Sequence, residues 1–375
     1  MKLLVTAGLS LAGVGVAWAQ PPVVAVATEV PVPDSVAAPA SPLTFYGFVD
    51  AYYGYDFGHG DTHDRPAFLY SHDRQNEFTV NNAVLGLRYQ DERVRGALGL
   101  HAGSYVVVNY AAEEPVIQHV YEAYAGFRPF RKAWLDVGIF TSHIGFESAL
   151  SQDNWTLTRS LMAENSPYFE SGARLTYEVS PPLTLTALVL NGWQNIRETN
   201  QSKAVGTQVQ WKPAGGKWVL NSSSFYGNEQ PRDSLRRRRL FHDFYGSYAA
   251  TQRLSLALVF DIGQQQATDD GKRDTWHAGA AFLRYQLAPQ WTGALRAEYY
   301  QAERGVVIQS LTPAPGAAAV TLRGASLNLD YAPARQVLVR LEGRLLAARH
   351  PTFPRREAGL SNHYGNITTS VTIRL

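Results

Sequence analysis

From residue 43 onward the chain is a succession of short stretches in which apolar and polar residues alternate, and the connections between them follow a rule. Every second connection is tight and rich in turn formers: 90–92, 129–132, 180–182, 213–217, 250–252, 288–290 and 332–335. The connections between those are long, as at 57–75, 147–166, 305–318 and 349–362. Alternation with period two puts one face of each strand in one medium and the opposite face in another. A sandwich or propeller has no reason to keep a strict short/long rhythm. A closed barrel crossing a membrane does, because its turns lie on one side and its loops on the other. Sixteen strands are expected: 43–56, 76–90, 93–107, 117–129, 132–146, 167–180, 182–192, 203–212, 217–228, 238–250, 252–265, 274–288, 290–303, 319–332, 335–348 and 363–375. The count is even and both ends of the run fall on the short-turn side. The first strand can therefore close on the last and leave no free edge in lipid.

The beginning of the chain fits export. Lys2 precedes an apolar run, Leu3 to Val16, and Ala17-Trp18-Ala19 is a small-x-small cleavage signal, so a leader over 1–19 is expected. The run is too short to span a bilayer, and no later segment is apolar enough to do so as a helix. Residues 20–42 carry Pro21, Pro22, Pro31, Pro33, Pro39 and Pro42 and read as an extended periplasmic tether before a barrel over 43–375. With no cysteine, neither a disulfide nor a thiol is available. A net charge of +2 argues against a dedicated nucleic-acid binder. The 20 Tyr, 16 Phe and 8 Trp suit aromatic girdles at membrane interfaces. Trp134, Trp211, Trp218 and Trp291 lie beside short turns, where interfacial indoles are expected.

Charges assign the faces. On 337–345, Arg340, Glu342 and Arg344 share one face while Val337, Val339, Leu341 and Leu345 share the other. A charge facing mid-bilayer lipid costs about 2–4 kcal/mol, so three on one face must point inward. The same logic turns Arg296 and Glu298 inward, with Glu170, Arg174 and Glu178, and adds Asp50, Arg88, Glu122, Asp136, Asp261 and Asp330 to the lumen wall. Side chains alone do not fill a sixteen-stranded barrel, so an aqueous lumen is expected rather than a closed core of ion pairs.

One segment breaks the strand pattern. Asp153 to Phe169 reads DNWTLTRSLMAENSPYF, with Leu157, Leu161 and Met162 at helical spacing and Asn165 and Pro167 as a stop. It falls in the third long loop, after 57–75 and 108–116. Irregular backbone at membrane depth is allowed where it lines a watery cavity. A short helix over Asp153–Asn165 inside the barrel is therefore expected to form the constriction, with Asp153, Trp155, Arg159, Glu164 and Asn165 at the narrow part. Asp153, Arg159 and Glu164 are expected to face wall charges such as Arg340 and Arg344. The other reading is an outward cap over the mouth.

Other clusters carry less. Asp56, His59, Asp61, His63, Asp64, His72 and Asp73 could ligate a divalent cation, but their spacing matches no defined site, and a hydrophilic surface loop is the plainer reading. Arg236, Arg237, Arg238 and Arg239 stand at the outer end of a strand, suited to lipopolysaccharide phosphates or to a bias at the pore mouth. No Gly-x-Ser-x-Gly elbow is present, and Ser and His show no informative spacing, so no catalytic residue, metal or cofactor is assigned.

Two blocks carry a resemblance. RPAFLYSHDRQNEFTVNNAVLGLRY (65–89) and SHIGFESALSQDNWTLTRSLMAENSPYFESGARLTYEV (142–179) resemble the OmpL-like β-barrel porin family of Gram-negative bacteria. In the second block a Trp-bearing loop runs through Ser160-Leu161, Glu164-Asn165 and Ser166-Pro167-Tyr168 into a strand containing Gly172. The blocks cover about a sixth of the chain, and the terminal Leu375 departs from the aromatic end usual in such barrels. The resemblance implies an outer-membrane porin passing small polar solutes or ions passively. Its partners would be outer-membrane lipid, lipopolysaccharide and the barrel-insertion machinery. Many porins of this size are homotrimers, though no residue here selects that assembly. The rival readings are a non-conducting structural or adhesive barrel and a barrel hydrolase.

Overall fold

The computed structural model describes residues 42–58, 62–232, 234–267, 272–308, 319–355 and 359–375. The expected leader and all of the tether except Pro42 lie outside the described residues, as do His59 and Asp61. The strands are β1 (Leu43–Phe57), β2 (Phe78–Gln90), β3 (Val94–Ala102), β4 (Val120–Phe127), β5 (Ala133–Thr141) and β6 (Phe169–Ser180). They continue as β7 (Leu183–Leu190), β8 (Ala204–Trp211), β9 (Trp218–Asn228), β10 (Arg238–Ala249), β11 (Leu254–Gln266) and β12 (Arg273–Ala288). The last are β13 (Trp291–Ala302), β14 (Val320–Ala334), β15 (Val337–Ala348), the small ribbon β16 (Phe353–Pro354) and β17 (Leu360–Ser361), and β18 (His363–Arg374).

Strands β1 to β15 and β18 form one closed antiparallel barrel of sixteen strands, each bonded to the next, while β16 and β17 pair only with each other. Closure runs from Phe48 opposite Arg374 to Phe57 opposite Gly365. The Leu375 N–H extends it by donating to the Gly47 carbonyl at 2.9 Å. The first and last strands are thus paired along ten consecutive positions and no free edge is left between them, as a lipid-embedded sheet requires.

The alternation sorts residues as expected. On β11, Leu256, Leu258, Phe260 and Ile262 are exposed while Ala257, Val259 and Asp261 between them are buried. On β18, Ile367, Val371 and Ile373 face out and Asn366, Thr368, Ser370 and Thr372 face in. Trp211, Trp218 and Trp291 stand exposed at the short-turn rim, with Trp218 stacked on Tyr248 at 4.1 Å and Trp291 on Tyr331 at 4.6 Å. Trp134 departs from the expectation: it lines the interior, with the Arg95 and Arg128 guanidiniums 4.6 and 4.7 Å from its ring centre.

The other departures fall on β3, β4 and β5, which are shorter than the sequence suggests. β3 stops at Ala102 because Gly103 takes a φ of +142°, where a Cβ would lie 2.3 Å from the Asn81 carbonyl oxygen. A helix, α1 (Ser104–Asn109), follows in place of the expected strand end, so the second outer loop spans 103–119. Within strand β5, Gly138 takes φ +139°, with a Cβ position 2.2 Å from the Ala123 carbonyl oxygen. The strand ends at Thr141, and the third outer loop begins there.

The sheet makes a direct prediction. Leu258 is 68% exposed in the middle of β11. Leu258→Arg is expected to lower the stability of the folded barrel in lipid vesicles by about 2–4 kcal/mol, measured by urea unfolding. A loss below about 0.5 kcal/mol would mean that this face does not meet lipid.

Candidate functional site: the third outer loop and the lumen wall

The loop between β5 and β6 lies inside the barrel, and nearly every residue from Ser151 to Phe169 is buried. Much of what holds it there is hydrogen bonding between wall side chains and loop backbone. Asn328 on β14 accepts the Leu157 N–H at 3.0 Å. Glu342 on β15 accepts the Thr158 N–H at 2.6 Å and its hydroxyl at 2.7 Å. Glu298 on β13 accepts the Leu161 N–H at 2.6 Å. Arg296 donates to the Thr158 carbonyl at 2.5 Å and the Thr156 hydroxyl at 2.8 Å, and Arg340 donates to the Ser151 and Asn154 carbonyls at 2.6 and 3.0 Å. The same charges pair among themselves, Arg296 with Glu342 at 3.2 Å, Arg344 with Glu298 at 2.8 Å and Arg340 with Asp330 at 2.8 Å. Buried charges are tolerable only when paired and hydrogen-bonded, and here the loop backbone completes the pairing.

These bonds also explain why the expected helix is short. The loop has a 3₁₀ turn at Ser151–Asp153 and one helical turn, α2 (Leu161–Glu164), with residues 154–160 between them irregular. Leu157 and Thr158 give their N–H groups to Asn328 and Glu342 instead of to preceding carbonyls. Helix begins only at Ser160, whose hydroxyl oxygen accepts the Ala163 N–H. Ser160 is held in turn by Glu147, which accepts its N–H at 3.1 Å and its hydroxyl.

The five residues expected at the narrow part are all buried within the barrel, with partly different partners. Asp153 meets a wall charge, Arg374, at 2.6 Å. Arg159 meets none; its guanidinium lies 3.9 Å from the Tyr168 ring centre and 4.5 Å from that of Tyr105 on α1, and it donates to the Ala149 carbonyl. Glu164 turns to the first outer loop, accepting the N–H groups of Tyr70 and Ser71 at 3.0 and 3.1 Å. The expectation of a facing wall charge is therefore corrected for Arg159, which α1 reaches first; Glu164 takes its direct hydrogen bonds from the first loop, while Arg344 of the wall acts on it electrostatically. Trp155 packs edge-on to Phe146, 5.4 Å away, and Phe146 contacts the wall residues Tyr245 and Phe282. Asn165 donates to the Leu161 and Phe68 carbonyls.

The wall residues all point inward. Asp50 accepts from Asn81 and from the Ser151 hydroxyl and contacts His72 at 2.9 Å; Arg88 binds Glu122 through two bonds; Asp136 takes both Arg95 and Arg174. Glu170 holds His143 at the root of the loop, and Glu178 lines open space. Asp261 lies opposite Asp243. The arginine run divides by strand parity. Arg236 and Arg238 are exposed, Arg237 pairs with Asp274, and Arg239 turns inward over Trp193 and Trp276. In the first loop, Asp56 binds Arg65, Asp64 binds Arg74, His72 binds Asp50 and His63 faces Glu77. Asp73 is buried. Among the described residues no three such side chains gather as a metal site.

The sequence reasoning missed Glu147, Tyr105, Tyr168 and Arg374 as partners of the loop. Arg374 was the most accessible of them, since it shares the inward parity of Asn366, Thr368, Ser370 and Thr372. The loop occupies the β10–β15 side, where apolar groups from Phe146, Trp155, Tyr245 and Phe282 fill the interior. Open space remains on the opposite side, a cavity of about 620 Å³ reaching the short-turn rim at Gln90, Lys132 and Leu375. Its inner limit is the loop itself, at residues 143–150, Pro167 and Tyr168.

A closed sixteen-stranded barrel with an apolar outer band, a charged inner wall and a loop folded into its lumen is an outer-membrane porin. A model of the family described as "Putative beta-barrel porin-2, OmpL-like" matches residues 42–374, and the chain belongs to that family. No curated protein shows significant similarity to the chain. Among solved structures, the trimer form of OmpT, an outer membrane protein of Vibrio cholerae, matches with a TM-score of 0.57 at 10% identity, covering 89% of this chain and 99% of that one. An anion-selective porin from Comamonas acidovorans matches with a TM-score of 0.57 at 7% identity over 89% and 99% of the two chains. Salmonella typhi OmpF, in complex with daunomycin, gives 0.55 at 13% identity over 89% and 97%. At these identities the likeness is one of fold.

Burial pushes the Glu164 carboxyl up to about 7, against the opposing pull of Arg159, Arg344 and the Ser71 and Tyr70 hydrogen bonds. Between the ordinary value of 4.5 and about 7, the folded barrel keeps a proton that the unfolded chain releases. This residue's contribution to stability therefore falls as pH rises through that window, by about 3 kcal/mol in all. Urea unfolding between pH 4 and 8 is expected to show that slope in the wild type and to lose it in Glu164→Gln. Equal slopes in the two proteins would contradict the assignment.

Proposed function

We propose that this porin passes small polar solutes or ions passively from the outer face to the periplasm, along a path beside the third outer loop, which forms the constriction. The reading is carried by the position of the loop, bonded through its backbone to charged side chains of β13 and β15 and to Asn328 of β14. A surface cap would have left those wall charges to water. Asp153, Trp155, Arg159, Glu164 and Asn165 are proposed to set the width of the path. Asp50, Arg88, Glu122, Asp136, Glu170, Arg174, Glu178, Arg296, Glu298, Arg340, Glu342 and Arg344 are proposed to shape its field.

A hydrolytic role is the weaker reading. Ser151, Asp50 and His72 do meet, but the Ser151 hydroxyl and the His72 imidazole both bind the same Asp50 oxygen, at 2.8 and 2.9 Å. A nucleophile needs the imidazole between it and the carboxylate, and here it is not. Export through the leader, insertion by the barrel machinery and assembly as a homotrimer belong to the same proposal, the last supported by the trimer form of the Vibrio cholerae neighbour. Arg236 and Arg238, exposed near the outer end of β10, are proposed to meet lipopolysaccharide phosphates, a reading their exposure supports.

Purified protein in a planar bilayer is expected to show stable conductance steps. Deleting residues 153–165 is expected to enlarge them severalfold, provided the variant still folds as a barrel by heat-modifiable gel mobility. Unchanged steps in a folded deletion variant would remove the constriction from the proposal, and silence of the wild-type protein would remove the channel. Arg296→Ala supplies a gentler test. It leaves Glu342 buried without its arginine, is expected to cost about 3–5 kcal/mol of stability, and should make the steps noisier as the loop loosens.

A further inference from the structure

The open side of the lumen presents a charge pattern that the loop does not use. Around Trp134, near the short-turn rim, stand Arg95, Arg128, Lys132 and Arg174, all lining the cavity. The Arg95 and Arg128 guanidiniums both lie over the Trp134 ring, at 4.6 and 4.7 Å. Arg95 and Arg174 share a single carboxylate, Asp136, through bonds of 2.5–2.7 Å and 3.1–3.2 Å respectively. Asp136 is fully buried behind them, so the cavity meets the guanidiniums and not the carboxylate. Arg128 has a buried Nε with no hydrogen-bond partner. Lys132 holds a left-handed φ of +66°, strained for a residue with a side chain, in the turn that brings it to the rim. The other carboxylates of the cavity wall are Asp153, which faces Arg374, Glu147, which holds Ser160, and Glu178, whose N–H binds the Lys132 carbonyl. Against four cations the cluster therefore has Asp136 and Glu178.

From this we propose that the periplasmic end of the lumen holds a binding subsite for small oxyanions, carboxylates or phosphates, built by Arg95, Arg128, Lys132 and Arg174 around Trp134. Like charges this close repel unless an anion joins them, and guanidinium pairs with planar or tetrahedral oxyanions through directed bonds. Stacking on indole holds Arg95 and Arg128 in place before the anion arrives, which reduces the ordering cost of binding. The arrangement selects the sign of the solute, which the mixed charges of the wall as a whole do not. The subsite deepens the channel reading by naming a solute class, but it is a binding claim and stands on a separate measurement.

The folded, full-length protein in detergent is titrated with sodium phosphate at constant ionic strength, following tryptophan emission. A saturable change is expected in the wild type. It should vanish in Trp134→Phe. The midpoint should move to about tenfold higher phosphate in the double variant Arg128→Gln/Lys132→Gln, which leaves both arginines of Asp136 in place. Glu178→Gln should move it the other way. In bilayers under a KCl gradient, the reversal potential should favour chloride in the wild type and shift toward zero in the double variant. Absence of a saturable response, or identical midpoints in wild type and double variant, would overturn the subsite whether or not the channel conducts. Saturable binding in a protein that never conducts would sink the channel and leave the subsite standing.

Discussion

The arrangement of the interior depends on the pairing of buried wall charges with the backbone of one loop. Arg296 and Glu298 on β13 and Glu342 and Arg344 on β15 form a continuous set of ion pairs across the intervening β14. Pairing among side chains alone leaves guanidinium and carboxylate hydrogen-bonding capacity unspent, which is costly away from water. The N–H and C=O groups of Thr158 and the N–H of Leu161 take up part of that capacity. The dependence runs both ways. An irregular segment at membrane depth has backbone groups without secondary-structure partners, and here the wall supplies them.

That mutual satisfaction decides how the rest of the lumen is divided. With the loop fastened to β13, β14 and β15, its apolar residues fall against β10 and β12, and Phe146, Trp155, Tyr245 and Phe282 pack into a dry cluster. The first outer loop and α1 then close over the loop, tied by Glu164 to Tyr70 and Ser71 and by Arg159 to Tyr105 and Tyr168. Water-accessible space is left on the other side, along β2 to β8. The lumen is asymmetric because one stretch of wall has the charges to hold a loop and the opposite stretch presents its charges to the cavity.

The barrel was legible in the sequence because membrane burial imposes rules that act on every strand. The period of two recurs in sixteen strands, and tight turns on one side and inward charges recur along much of the chain, so an error in one strand does not alter the whole. The departures come where a single residue overrides the pattern. Tyr105, Val106 and Val107 have strand-forming composition, yet Gly103 turns the chain before they can pair. Trp134 sits beside a short turn like Trp218 and Trp291, but it shares the inward parity of Asp136. Parity, rather than distance from the turn, decides which way an indole points, and the same parity separates Arg237 and Arg239 from Arg236 and Arg238.

The site was legible only in part, for a different physical reason. Which residues face inward follows from alternation, and that much could be read for Arg296, Glu298, Arg340, Glu342 and Arg344. Which loop atoms they hold could not, because those partners lie more than a hundred residues away and many are backbone groups that every residue carries. Helical spacing in Leu157, Leu161 and Met162 was a real local preference, and it lost at Leu157 because a side chain on β14 offered its N–H a better partner than a helical turn would. Local propensity is worth a few tenths of a kcal/mol per residue, whereas an unmet hydrogen bond at a buried carboxylate costs several times more. The wall therefore sets the conformation of the loop, and the conformation of the loop sets where the open cavity lies.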